Sequence, residues 1–155
     1  MSIHKSYAVF GLGRYGRAVA TELAMSGAEV MAVDVDEKIT EEVIADIPVC
    51  KCADVTDKEV ISRLGISNFD TVIIAMAMRF EVSVMATMLC KEAGVETVIV
   101  KCANEVHKKY WNVWERIRWF CPRLNQVRGL HAIFSVTVLL TLLTFRTTFP
   151  LLKWM

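Results

Sequence analysis

Six residues carry the clearest chemistry. Gly11-Leu12-Gly13-Arg14-Tyr15-Gly16 follows an apolar run, Tyr7–Phe10, and opens a helix-length segment. In such a loop Gly11 permits a tight turn, Gly13 leaves no side chain to block a pyrophosphate, and Gly16 lets the helix pack on the sheet. The free N–H groups at the helix start then face an anion. Arg14 either pairs with a phosphate or stands as a solvated first-turn residue. Asp34 ends the next apolar run, 18 residues after Gly16. A carboxylate there accepts hydrogen bonds from ribose hydroxyls and repels a 2′-phosphate, which favours NAD(H) or an adenosine nucleotide over NADP(H). Asp36 reads as the cap of the following helix. Ala53-Asp54-Val55-Thr56-Asp57 follows the third run, where an adenine ring would lie. Asp57 reads as a cap and Asp54 as the ligand candidate. Ala75-Met76 and Lys101 stand at the carboxyl ends of the fourth and fifth runs, the edge at which ligands bind in such sheets.

The elements that must position these residues alternate along the chain. Tyr7–Phe10, Val30–Val33, Val49–Cys52, Thr71–Ala75 and Thr97–Lys101 are continuous apolar or β-rich runs, as expected of strands covered on both faces. Between them, Arg14–Ser26 places Ala18, Val19, Leu23 and Ala24 near one helix face, with Gly27 as its cap. Phe80–Ala93 places Val84, Met85, Met88 and Leu89 on one face, and Gly94 ends it. Glu37–Ala45 and Asp57–Leu64 predict shorter helices. No hairpin signal interrupts the alternation, so the strands are parallel with right-handed crossovers. The expectation is an α/β, Rossmann-like, doubly wound parallel sheet of about five strands.

Composition bounds the rest. With 155 residues, 54% apolar and 23% charged, the chain has material for one packed domain and is too apolar for global disorder. A net charge of +1 gives no electrostatic case for nucleic acid. The average conceals a break: residues 1–109 carry 12 Lys and Arg against 16 Asp and Glu, whereas residues 110–155 carry 6 against a single Glu. All four Trp fall after residue 109. Five Cys without a secretory signal predict free thiols in a reducing compartment. Cys50 and Cys52 lack a second pair at zinc spacing and are expected to be core thiols, as are Cys90 and Cys102. Met76, Met78, Met85 and Met88 are expected in the core. His4 is expected to be exposed, and His107 to make a structural hydrogen bond. No nucleophile–base pair or carboxylate dyad is legible. Leu130–Phe145 is shorter than the ~20 residues that span a bilayer.

The phrases A-V-F-G-L-G-R-Y-G, V-M-A-V-D-V-D-E and A-D-V-T-D, with Leu64–Asp70 (L-G-I-S-N-F-D) and the K-x-x-N-x-x-H of Lys101, Asn104 and His107, resemble the N-lobe of an RCK domain. That is the regulator-of-potassium-conductance module of Trk/Ktr-type potassium-uptake systems. The resemblance covers about two thirds of the chain, to Lys109. It implies a non-enzymatic, cytoplasmic subunit, peripheral at the inner face of the membrane. Such a subunit binds NAD(H) or ATP/ADP and gates a potassium-translocating membrane partner, as a homodimer or larger ring. Carried over by position, the ligand set is Gly11, Leu12, Gly13, Arg14, Tyr15, Gly16, Asp34, Asp54, Ala75, Met76 and Lys101. The family commonly continues Ala-Ile-Gly where this chain has Ala75-Met76-Ala77. Two other readings compete: a fragment of an NAD-dependent oxidoreductase, and a nucleotide sensor anchored in the membrane through Leu130–Phe145.

The composition break coincides with the end of the resemblance. If each hidden codon is the free third base of one residue plus the first two bases of the next, K-Y-W-N-V-W-E-R-I from Lys109 is compatible with V-L-E-R-M-G-A-D. R-W-F-C-P-R-L-N-Q-V-R-G-L-H is likewise compatible with P-V-V-L-P-E-T-E-S-G-T-R-L-A. Both hidden texts match what the family places there. The sequence therefore points to a one-base deletion near the codon for Lys109, in the gene or in its sequencing. The expected organisation is a nucleotide-binding domain at 1–109 and an unrelated tail at 110–155 without selected function. Loss of the sixth strand would leave an uncovered sheet edge and an exposed apolar tail.

Overall fold

A computed structural model of the chain describes residues 5–111 and 117–120. Its elements run β1 (Ser6–Phe10), α1 (Arg14–Met25), β2 (Glu29–Asp34), α2 (Glu37–Val43), β3 (Val49–Cys52), α3 (Lys58–Arg63), a 3-10 turn at Ile66–Asn68, β4 (Thr71–Ile74), α4 (Phe80–Glu92), β5 (Thr97–Lys101), α5 (Glu105–Trp111) and β6 (Ile117–Phe120). The strands form one sheet in the order β3-β2-β1-β4-β5-β6, and every pairing is parallel. The chain thus leaves β1 in one direction to β2 and β3, then returns to the other side for β4 to β6. That reversal of strand order opens a crevice beyond the carboxyl ends of the strands.

Strand residues alternate between two apolar layers. Tyr7, Val9, Val30, Ala32, Ile73 and Ile99 pack with Val19, Ala20 and Leu23 of α1 and Val43 of α2. Ala8, Phe10, Met31, Val33, Val72, Ile74, Val98 and Val100 pack on the other face with Ile61, Ala86, Cys90 and Trp111 from α3, α4 and α5. Both faces are covered, which is why the strands read as unbroken apolar runs.

Three expectations are corrected. Among the described residues the sheet has six strands, not about five. Val98 pairs with Ile117 and Val100 with Trp119, so the edge of β5 is covered. Ile117 and Trp119 join the same apolar layer as Val98 and Val100, while Arg118 is exposed. Cys50 and Cys52 are not core thiols. They lie on β3, an edge strand among the described residues, where Cys50 is half-buried and Cys52 exposed. Cys90 and Cys102 are buried as expected, and burial pushes the Cys90 thiol up to about 12.

The third correction concerns α4, which buries Ser83, Ala86, Thr87 and Cys90 rather than its methionines. These small residues let the helix lie close to the sheet. The hydroxyls are satisfied locally: Thr87 Oγ1 donates to the Ser83 carbonyl at 2.6 Å and Ser83 Oγ to the Met76 carbonyl at 2.9 Å. Val84 and Leu89 pack at the layer's margin, whereas Met85 and Met88 are exposed and Met78, just before the helix, is 87% exposed. His4 and the Leu130–Phe145 run lie outside the described residues. Among the described residues, no helix is long and apolar enough to cross a membrane.

Candidate functional site

The glycines of the first loop have three different structural reasons. Gly11 turns the chain at a φ of 89°, a left-handed conformation that disfavours any side chain, and a Cβ there would also press on Met76 Cγ. A Cβ on Gly16 would run into the Gly11 carbonyl oxygen, so this glycine lets α1 start against the turn. Gly13 is unlike both. Its φ of −63° and ψ of −175° suit any residue, and a Cβ there would meet nothing within 4 Å. Nothing within the described protein requires glycine at this position. Gly13 is the residue before α1, and its side lacks a capping hydrogen bond, so the helix start opens onto free space.

That space is a cavity of about 520 Å³ at the carboxyl edge of the sheet, within the range of small-molecule sites. Gly11, Gly13, Arg14, Tyr15, Asp34, Asp54, Ala75, Met76 and Lys101 all line it, so the structure brings together nine of the eleven sequence-predicted residues. The other two act from behind. Leu12 is buried in the α1 layer, and Gly16 lies beneath the Gly11 carbonyl.

Asp34 ties the rim together. Its Oδ2 accepts the backbone N–H of Leu12 at 2.7 Å and its Oδ1 that of Asp36 at 2.9 Å. One carboxylate thereby braces the glycine loop against the β2–α2 turn. The Gly11 N–H donates to Val33 O at 2.9 Å and the Ala75 N–H to Phe10 O at 2.8 Å, which continues the parallel ladder into the loops. Asp54 Oδ1 accepts both the hydroxyl and the N–H of Thr56, at 2.7 and 2.9 Å. Those two bonds, aided by the charge of Arg79, hold its carboxyl below the usual value against the opposing effect of burial. Asp36 and Asp57 cap α2 and α3, accepting the N–H groups of Lys38 and Glu59 at 3.0 and 2.8 Å.

Across the cavity Lys101 Nζ lies 4.7 Å from the centre of the Tyr15 ring, a cation–π contact that holds the ammonium at the cavity wall. Burial raises the Tyr15 phenol above its ordinary value. The rest of the K-x-x-N-x-x-H phrase is structural. Asn104 Oδ1 accepts the His107 backbone N–H at 3.0 Å, and the His107 ring stacks on Phe80 with centroids 4.2 Å apart. The hydrogen bond expected of His107 is therefore made by its backbone, while its ring buttresses the start of α4. Met76 fills the space beside the Gly11 turn, and its carbonyl accepts the Arg79 N–H at 2.9 Å and the Ser83 hydroxyl.

Sequence reasoning missed several lining residues, chiefly Val35, Met78, Arg79 and Val82. Arg79 had a usable signal. It lies just past the fourth strand, on the edge where ligands bind. Among the described residues no group of three or more His, Cys, Asp or Glu could hold a metal ion.

Comparison with known proteins agrees with this architecture. The chain is 40% identical over 105 residues to the Ktr system potassium uptake protein C of Bacillus subtilis, covering 68% of this chain and 48% of that one. It is 41% identical over 101 residues to the Ktr system potassium uptake protein A of Vibrio alginolyticus, covering 65% and 46%. The chain thus spans about half the length of the curated relatives it matches. Among solved structures, the TrkA-N domain of the inner membrane protein YbaL from Escherichia coli superposes with a TM-score of 0.67 at 11% identity, covering 94% of this chain and 98% of that one. An NAD(P)-binding domain of an exopolyphosphatase-related protein from Archaeoglobus fulgidus gives 0.66 at 17% identity, covering 92% and 98%. At these identities the likeness is one of fold. The TrkA-N domain model matches residues 7–115, well over half of the chain, and the chain belongs to the TrkA-N domain family.

Proposed function

We propose that this domain is the nucleotide-sensing part of a cytoplasmic regulatory subunit of a potassium-uptake system, peripheral at the inner face of the membrane. It binds NAD(H) or ATP/ADP and gates a potassium-translocating membrane partner. The observation that carries the reading is Gly13: a glycine with ordinary dihedrals and open space where its side chain would be, at an uncapped helix start. A bound pyrophosphate explains both features. Asp34, fixed by two N–H donors, would take the ribose hydroxyls, with Arg14 and Lys101 near the phosphates. The similarity to Ktr uptake proteins supports the potassium-transport context. Calorimetric titration with NADH, NAD, ADP and ATP tests the ligand. Heat of binding from at least one supports the reading, and silence from all four removes it.

The subunit acts by binding, not by turnover. Regulation then requires different nucleotide affinities in two states of the assembly. A carbonyl-substrate panel with NADH tests this, because any hydride transfer would favour the oxidoreductase alternative. The subunit works as a homodimer or larger ring; Met85 and Met88, one turn apart on α4, are exposed apolar side chains that a second copy would cover. Residues 110–155 are the product of a one-base deletion near the Lys109 codon. The alternative frame supplies the strand-like P-V-V-L-P over residues 118–122, so either text yields a strand near the position of β6. The gene sequence decides: early stops in the alternative frame would refute the deletion.

A further inference from the structure

We infer that Arg79 is a ligand-contact residue that closes the cavity over the adenosine moiety, its guanidinium plane lying against the purine. The inference rests on the nucleotide reading above and adds a base-recognition residue to it. Three observations support it. Arg79 lines the cavity together with the apolar side chains of Val55, Met78 and Val82. Among the described residues it forms no ion pair within 4 Å, yet its charge acts on Asp54, which follows β3 on the far side of β1 and β2. Arg79 and Asp54 therefore face the cavity from opposite flanks, on the face of the sheet covered by α3 and α4. With phosphates at Gly13 and a ribose at Asp34, the base extends between these two flanks.

The third observation is that Arg79 is a poor residue for the fold. It stands at the N-cap of α4, a 13-residue helix, and provides no capping hydrogen bond. A cation there opposes the positive end of the helix dipole, and arginine is not among the preferred capping residues. The chain supplies aspartate at the corresponding positions of α2 and α3. A local rule broken at one place beside a cavity marks a residue kept for a ligand. A planar, delocalised guanidinium suits an aromatic face, and the anchored Asp54 carboxylate stands on the opposite wall of the same cavity.

The test is calorimetric titration of AMP, ADP and ATP into the full chain and into Arg79→Ala and Arg79→Lys. Arg79→Ala is expected to weaken all three by a similar factor, about tenfold, the scale of a desolvated cation–aromatic contact. Arg79→Lys should recover little of it, because lysine keeps the charge and loses the plane. The thermal midpoint of unliganded Arg79→Ala should be unchanged or higher, since an unfavourable helix-end charge is gone. A loss that grows with each added phosphate, full recovery by lysine, or unchanged affinity in Arg79→Ala would each overturn the inference. In those cases the wild-type chain still binds, and the nucleotide reading survives. A wild-type chain that binds none of the three overturns both.

Discussion

The β1–α1 and β3–α3 turns leave the same edge of the sheet and complete their helix starts in opposite ways. After β3, Asp57 caps α3 with its own carboxylate, and Asp54 Oδ1 takes both donors of Thr56. After β1, the position before the helix is Gly13, which has no side chain to offer. The β3–α3 turn is finished by the protein itself. The β1–α1 turn is left open, with a cavity in front of it and Asp34 bracing it from behind. The difference separates residues kept for stability from residues kept for a ligand. Substitutions at the two N-cap residues, Asp57 and Gly13, should therefore act chiefly on stability and on binding respectively.

Gly16→Ala is the harshest change, because its Cβ meets the Gly11 carbonyl and the turn must shift to admit it. Overpacking of this kind costs about 2–3 kcal/mol, readable as a lower denaturation midpoint, and here it should also abolish binding. Asp34→Ala comes next. It releases the Leu12 and Asp36 N–H groups and removes the proposed ribose acceptor, so every adenosine ligand should bind about 10- to 100-fold more weakly by calorimetry. Asp57→Ala should lower stability by about 1 kcal/mol and leave nucleotide affinity unchanged, since that cap faces its own helix. If Asp57→Ala weakened binding as much as Asp34→Ala, the separation of the two turns would fail.

The smallest effect is pH-dependent. The Asp54 carboxyl is held below its usual value by Thr56, so its ionised form is favoured by folding. Its contribution to stability is fully present above the unfolded value, about 3.9, and is lost as pH falls through the lower folded value. Because Asp54 is largely solvated, the change is modest. Thr56→Val removes the hydroxyl donor and keeps the backbone N–H, so it should reduce the effect and make the acid limb of a stability–pH curve measured below pH 4 shallower.

Much of this contrast was legible in the sequence because it rests on local rules. The glycine spacing, the aspartate caps and the limits of β3 and β5 follow from backbone chemistry within a few residues. What was not legible depends on position in the sheet. Cys50 and Cys52 read as core thiols because their run is short and apolar, but β3 is an edge strand, a fact of strand order alone. The buried face of α4 was misread because methionine is more apolar than serine or threonine. Close helix–sheet packing instead favours the small Ser83, Ala86 and Thr87, whose hydroxyls bond to nearby carbonyls. The sixth strand was missed because the basic, Trp-rich composition after Lys109 departs from the family pattern. Pairing with β5 requires only that Ile117 and Trp119 face the apolar layer. Arg79 belongs to no motif; its place just past β4 is the one sequence signal it carries, and the cavity is what brings it beside the glycine loop.

The central claim is that Gly13 is glycine for the sake of a bound phosphate and not for the fold. Its most direct test is a paired measurement on Gly13→Val: thermal unfolding without ligand, and calorimetric titration with NADH and ADP. The account predicts a folded chain whose melting temperature falls only slightly, the cost of valine at a helix N-cap, because the new side chain enters open space, together with complete loss of the binding seen in the wild-type chain. Unchanged nucleotide affinity in a folded Gly13→Val chain would contradict it.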